Sequence, residues 1–257
     1  MRPVLLELGP LKIHAYGLAL AVSFLVGSWW VTRRGRRLGY LEDDLLRLFW
    51  WILASALIGS RLYYALQHPQ DFSDNWIEVT QIWRGGLTQY GGLIGAVIVG
   101  GLFIRSRGWS FRQISDLVTP ALAFGEAFTR IGCFFNGCCF GSACSLPWAV
   151  TFREGSHAHY VLGSTPVHPS QLYLSIGNGL LLLALLRLER RVRRPGGLFA
   201  IYLGASSIIR FVVDFTRYYE PGDVFGIGGV AWAHSQWLSL AFVGIAVLIW
   251  VTARIRD

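Results

Sequence analysis

Three arginines, Arg61, Arg130 and Arg210, each stand inside a long apolar stretch. A charged side chain at the centre of a bilayer costs about 2.5–3.5 kcal/mol on insertion scales, so it persists where a partner or a polar cavity meets it. Arginine adds a fixed positive charge and a planar fork of donors that matches phosphate oxygens two at a time. The chemistry this points to is the holding of a phosphate within the lipid or at its edge, where phospholipid headgroups are the phosphates at hand. The alternative is internal pairing with Glu126 or Asp214, which would tie helices together and do nothing more.

The densest polar block, Thr129-Arg-Ile-Gly-Cys-Phe-Phe-Asn-Gly-Cys-Cys-Phe-Gly141, ends an apolar stretch and turns through Gly132, Gly137 and Gly141. An arginine beside bare backbone amides makes a phosphate cradle. Downstream, Pro166-Val-His-Pro-Ser-Gln-Leu-Tyr173 opens the next stretch with a cap-like Ser170 and the polar Gln171, and His168 there could contact substrate or cap the helix. Arg210 and Asp214 are four apart, on one helical face. Gly91 and Gly92 follow Tyr90, and their amides could meet an anion at a helix N-terminus. The same glycines, with Gly95, Gly100 and Gly101, could instead let two helices approach closely in lipid. Tyr16 and Tyr63 could line a lipid cavity or simply sit at the membrane boundary.

All four cysteines, Cys133, Cys138, Cys139 and Cys144, lie in or beside this block. Thiols outside the membrane tend to oxidise, so one or two disulfides stapling the loop are expected, not joining the adjacent Cys138 and Cys139. Thiolate ligands with His157, His159 and His168 following make a metal site a weaker alternative, and because Cys-x-x-Cys spacing is missing none is assigned. A redox-active pair is the remaining alternative.

The elements that must position these groups follow from composition. Of 257 residues 53% are hydrophobic and 15% charged, with mean hydropathy +0.45. Soluble domains carry about 25% charged residues, so the balance indicates an all-α polytopic membrane protein. Stretches near 15–32, 44–66, 90–104, 114–134, 171–187, 197–215 and 234–252 could each span, giving about seven helices. Fifteen basic residues flank alternate connections and the C-terminal end, against five on the opposite side, Arg2, Lys12, Arg84, Arg153 and Arg217. By the positive-inside rule the N-terminus lies outside and the C-terminus in the cytoplasm. Basic residues placed this way set topology and meet anionic lipid, which argues against nucleic acid as partner. The chain reads as one transmembrane domain, 1–257, with a compact outer-side loop subdomain at 135–169 containing a strand-like run, Trp148–Phe152. Residues 67–89 read as a surface helix or arm carrying interfacial Phe72, Trp76, Ile77 and Trp83. Glu7 and Pro10 make the first thirteen residues unlike a signal peptide, and they are taken as a mature extramembrane segment.

Taken in order, these blocks resemble the prolipoprotein diacylglyceryl transferase family over nearly the whole chain. The resemblance rests on Tyr16-Gly17, Gly59-Ser-Arg-Leu-Tyr63, Trp83-Arg-Gly-Gly-Leu-Thr-Gln-Tyr-Gly-Gly-Leu-Ile-Gly95, the Arg130–Gly141 signature with Pro147-Trp148-Ala149, His168-Pro-Ser-Gln-Leu-Tyr173, Arg210 with Asp214 and Arg217, and Gln236. It implies transfer of the diacylglyceryl group of phosphatidylglycerol to the lipobox cysteine thiol of prelipoproteins, forming a thioether and releasing glycerol phosphate. It implies a multi-pass protein of the bacterial cytoplasmic (inner) membrane, with phosphatidylglycerol, prelipoprotein signal peptides and the bilayer as partners and no cofactor. Arg130, Arg210 and Tyr90 fall at catalytic positions; Tyr16, Arg61, Gly91, Gly92, Asn136, Gly141, His168, Gln171 and Asp214 fall at substrate-binding ones. The pattern departs from the family's at Tyr90, where a histidine is usual, at Cys133 for asparagine, at Cys138 for glutamate, and at Asp214 for glutamate. A phenol is a weak base at neutral pH, so either the arginine field deprotonates the incoming thiol, or another group does, or the acceptor differs. The rivals are a diverged member acting on another lipid acceptor and a non-catalytic lipid- or lipoprotein-binding membrane module.

Overall fold

The computed structural model describes residues 4–8, 11–73, 75–82, 85–227 and 230–255. Arg2, Pro10, Trp83, Arg84 and Arg256 lie outside the described residues. Among the described residues eight α-helices follow one another: α1 (Ala15–Arg37), α2 (Glu42–Gln67), α3 (Gln89–Ser106), α4 (Phe111–Asn136), α5 (His157–Leu162), α6 (Ser170–Leu188), α7 (Gly197–Asp214) and α8 (His234–Ile255). Six of them, α1, α2, α3, α6, α7 and α8, are long and apolar enough to cross a bilayer. The seventh expected span, α4, has the length at 26 residues but falls outside this set, because Arg112, Asp116, Glu126 and Arg130 dilute it. Helix ends carry the charges the backbone dipole favours: Glu42, Asp43 and Asp44 open α2, and Arg34, Arg36 and Arg37 close α1.

Two short antiparallel hairpins modify the all-helical expectation. β1 (Val4–Leu8) pairs with β2 (Leu11–His14) directly before α1, and β3 (Val224–Ile227) pairs with β4 (Val230–Ala233) directly before α8. Each is a few residues long, too short for an alternating pattern to separate it from an extended loop.

The chain divides into two compact units, Trp30–Ile114 and the combination of Met1–Trp29 with Ser115–Asp257. In the first, α2 and α3 are in close backbone contact. A β-carbon on Gly91 would overlap the Gly59 carbonyl and Tyr63, and one on Gly92 would lie 2.6 Å from the Ser60 hydroxyl. Small residues are what permit such an approach in lipid. In place of a surface helix, the described residues of 67–89 include the 3-10 turns Pro69–Phe72 and Trp76–Thr80. Phe72 is buried there, while Trp76 and Ile77 are exposed.

In the second unit Ala123, Leu181, Leu185, Leu198 and Tyr202 pack α4, α6 and α7 together. Asp116 on α4 fixes where α7 begins, accepting hydrogen bonds from the backbone N–H of Gly196 (2.7 Å) and Phe199 (2.8 Å). A carboxylate at a helix N-terminus satisfies orphan amides and the dipole together. Residues 135–169 have a small core of their own, in which Phe140, Phe152, Ala158 and Val167 meet. The strand-like run Trp148–Phe152 contributes one isolated bridge, Val150 to Val167, and Val167 also bridges Ala143.

Candidate active site

Helix α4 closes in a way its sequence dictates. The Gly137 amide donates to the Phe134 carbonyl (3.2 Å) and the Cys138 amide to the Cys133 carbonyl (3.2 Å), with Gly137 at φ 70°. This paired closure needs a left-handed residue just past the helix, a place glycine fills without a β-carbon penalty. Its geometry carries Cys138 back over Cys133. Cys139 follows at φ 57°, the one non-glycine with positive φ among the described residues. Buried Gln171, in the first turn of α6, donates its side-chain amide to the Cys138 carbonyl (2.8 Å) and pins the turn.

The sulfurs of Cys133, Cys138 and Cys139 all lie within 4.8 Å of one another. All four cysteines stand as free thiols, Cys144 apart from the trio. Hydrogen bonds from the Cys133 and Cys138 thiols hold the Cys139 thiol well below the ordinary range, and the guanidiniums of Arg217 and Arg130 act in the same direction. Asn136 is bonded to the Cys138 side chain.

Arg130 sits one helical turn before Cys133, on the same face. Tyr16 of α1 approaches both, because α1 crosses α4 at Gly132, where a β-carbon would stand 2.6 Å from that of Ala19 and 3.2 Å from the Tyr16 backbone. Among the described residues no carboxylate forms an ion pair with Arg130. Glu126, one turn earlier, instead accepts a hydrogen bond from Ser206 (2.8 Å) on α7.

Asp214 is the hub at the end of α7. Its carboxylate, with no exposed side-chain surface, pairs with Arg210 (3.0 Å) and Arg217 (3.6 Å) and accepts a hydrogen bond from Ser235 (2.6 Å). Arg217 donates to the Tyr219 hydroxyl (3.3 Å). The guanidiniums of Arg217 and Arg130 both act electrostatically on Arg210, so the three form one positive field. A cavity of about 310 Å³ opens beside Asp214 and Arg217, lined also by Ser142, Tyr219, Trp232 and Gln236. Two buried donors there, Nε of Arg217 and Nε2 of Gln236, have no hydrogen-bond partner among the described residues. Buried donors in that state are suited to an acceptor-rich ligand such as a phosphate.

Gly141 is packed between two strands of loop. Its amide donates to the His168 carbonyl (3.0 Å), and a β-carbon would strike the carbonyls of His168 and Thr216. Ser170 bonds the Thr216 carbonyl (3.0 Å), locking the start of α6 to the residue before Arg217. The His168 ring meets the Tyr173 hydroxyl (3.3 Å), which also accepts from the Trp148 indole (2.7 Å).

The unit Trp30–Ile114 treats its candidates differently. Arg61 is buried, with donors on the carbonyls of Glu78 (2.7 Å), Val79 (2.9 Å), Gly85 (2.6 Å) and Gly86 (3.3 Å). Four hydrogen bonds to backbone leave one of a guanidinium's five donors, so Arg61 ties Glu78 and Val79 to Gly85 and Gly86 where a phosphate contact was expected. Gly91 and Gly92 are taken up by packing against α2, and the Gly92 amide donates to the Thr88 carbonyl (3.3 Å). Tyr90 is half exposed in the first turn of α3. The sequence counts Arg217 among the charges of the outer side and, in the resemblance, beside Arg210 and Asp214; its spacing of three from Asp214 is the signal for the pairing. Ser235 gave no signal, because its bond to Asp214 crosses 21 positions.

A family model for prolipoprotein diacylglyceryl transferases matches residues 3–252. Proteins named phosphatidylglycerol–prolipoprotein diacylglyceryl transferase are similar over their full length. That of Bordetella avium is 38% identical, covering 98% of this chain and 95% of the relative. That of Methylibium petroleiphilum is 35% identical over 99% and 97%. That of Clostridium tetani is 31% identical over 100% and 99%. With the arginine field at the ends of α4 and α7, these matches establish that the chain belongs to the prolipoprotein diacylglyceryl transferase family.

Proposed function

We propose that this protein transfers the diacylglyceryl group of phosphatidylglycerol to the lipobox cysteine thiol of prelipoproteins, as a multi-pass enzyme of the bacterial cytoplasmic membrane. The observation that carries the reading is Arg130, without a carboxylate partner among the described residues and in one field with Arg210 and Arg217. Asp214 holds Arg210 and Arg217, and the Arg130 fork is left for an anion. A phosphodiester carries one negative charge and gains a second as its carbon–oxygen bond breaks. Donors aimed at that developing charge lower the barrier more than they tighten ground-state binding. The same field favours the thiolate of the incoming cysteine, whose ordinary pKa is near 8.5.

In this reading Arg130 and Arg210 grip the phosphate, and Tyr16 and Asn136 border it. Asp214, Gln171, Gly141 and His168 hold the surrounding segments in place. The N-terminus lies outside and the C-terminus in the cytoplasm, α4 is the seventh crossing, and 135–169 forms the outer subdomain that receives the prelipoprotein signal peptide. Complementation tests this directly. The gene should restore growth and diacylglyceryl-modified lipoproteins to a strain depleted of its own transferase. Unmodified prelipoproteins despite normal membrane levels of the protein would direct attention to another acceptor.

Tyr90 contributes position rather than basicity. Tyr90→Phe should retain most transfer activity, since the ring remains and only the hydroxyl is lost. Rates measured on a lipobox peptide in membranes check this, and an inactive but folded, lipid-binding Phe variant would assign the hydroxyl a direct role.

A further inference from the structure

The trio Cys133, Cys138 and Cys139 has the arrangement of a metal-binding group. A tetrahedral thiolate site places each sulfur about 2.3 Å from the ion and the sulfurs about 3.8 Å apart. The three here already lie within 4.8 Å of one another, with no disulfide between them. The backbone is shaped to bring this about. The closure of α4 folds Cys138 onto Cys133, and Cys139 holds a left-handed conformation that costs a residue with a β-carbon about 1–2 kcal/mol. Gln171 then clamps the Cys138 carbonyl from the buried face of α6. The spacing of the cysteines along the chain conceals this, because the two arms are joined by a helix end and not by a two-residue knuckle.

Charge and ligand type narrow the occupant. Three thiolates around a divalent ion leave one net negative charge, and Arg130 and Arg217 stand close enough to offset it. Soft sulfur ligands select ions of the zinc class over magnesium or calcium. Among the described residues no histidine or carboxylate joins the group, so three protein ligands leave one position of a tetrahedron open, as in zinc sites that react. We propose that Cys133, Cys138 and Cys139 hold a soft divalent cation of the zinc class whose fourth position accepts an external thiol.

Resting on the transfer activity proposed above, that thiol is the acceptor cysteine. On coordination it releases its proton to solvent. Its sulfur then forms the carbon–sulfur bond to the glyceryl carbon as the carbon–oxygen bond to phosphate breaks, and the electron pair of that bond departs with glycerol phosphate. A metal-held thiolate needs no side-chain base.

The full chain, purified in detergent under argon, should carry about one zinc per chain by elemental mass spectrometry. Cobalt(II) replacing it should give thiolate charge-transfer absorption, which a lipobox peptide shifts and the same peptide with serine for cysteine does not. Cys133→Ser and Cys139→Ser should lose the metal while Cys144→Ser keeps it, with helix content by circular dichroism confirming folded protein. Should a serine variant not fold, stripping the wild type with a chelator and titrating zinc back gives the stoichiometry. A chain that neither retains nor rebinds zinc, a disulfide between two of the three cysteines, or equal metal loss from Cys144→Ser would overturn the site. A cobalt spectrum blind to the peptide thiol would overturn the acceptor role. Metal content is read without the transfer assay, so bound zinc with absent transfer counts against the proposed activity and not against the site.

Discussion

Arg130→Lys should lower diacylglyceryl transfer by about 100-fold or more, nearly as far as Arg130→Ala, although lysine keeps the charge. The reason is geometric. Arg130 has no carboxylate partner among the described residues, so its donors are available to a ligand. A guanidinium offers two parallel N–H groups to two phosphate oxygens, whereas an ammonium offers a point charge on a flexible stem. Losing one preorganised donor to a developing oxyanion costs about 2.7–4 kcal/mol, which is the 100-fold to 1000-fold expected here. Transfer from phosphatidylglycerol to a lipobox peptide, measured in membranes at matched protein levels, gives the comparison. A lysine variant near the wild-type rate would mean that the field matters and the fork does not. Arg61→Lys makes a useful contrast: with Arg61 bound to four carbonyls, the loss should appear in thermal stability before it appears in the chemical step.

That contrast also marks how far the sequence was legible. Arg61 and Arg130 look alike in the primary structure, each a lone arginine in an apolar run. What separates them is the position of carbonyls 17 to 25 residues downstream of Arg61, which no periodicity encodes. Spans were legible because a bilayer demands about 20 apolar residues of each crossing helix. The stretch read as 44–66 is the helix Glu42–Gln67, and that read as 197–215 is Gly197–Asp214. Helix α4 shows the limit, since the charges that make it a candidate site also remove it from the apolar set. The link from Arg210 to Asp214 followed from a spacing of four, but Ser235 and Tyr219 are joined to it only by the tertiary fold. The cysteine trio lies between these cases. Gly137 after a helix ending in Asn136 encodes the turn that folds Cys138 back, while the left-handed Cys139 follows no local preference.

The largest stability loss should come from Asp214→Ala. Its carboxylate is fully buried and is the only carboxylate pairing with either Arg210 or Arg217 among the described residues. Removing it leaves two guanidiniums, with side chains 25% and 12% exposed, facing each other without compensation. Breaking a buried ionic group by deleting one partner costs about 3–5 kcal/mol, mostly as the desolvation of the charge left behind. For a chain of this size the melting midpoint should fall by on the order of 10 °C. Asp214→Asn should fall between, because the amide oxygen still accepts from Ser235 while the charge is gone. The mechanism predicts coupling as well. With Asp214 already alanine, Arg217→Ala should destabilise far less than it does in the wild type, and should even recover some stability by relieving the repulsion between guanidiniums. Thermal melts of the four proteins of that cycle in one detergent provide the measurement. Additive losses would show that Asp214 and Arg217 act independently, and the account of Asp214 as the counter-charge of Arg217 would fail with them.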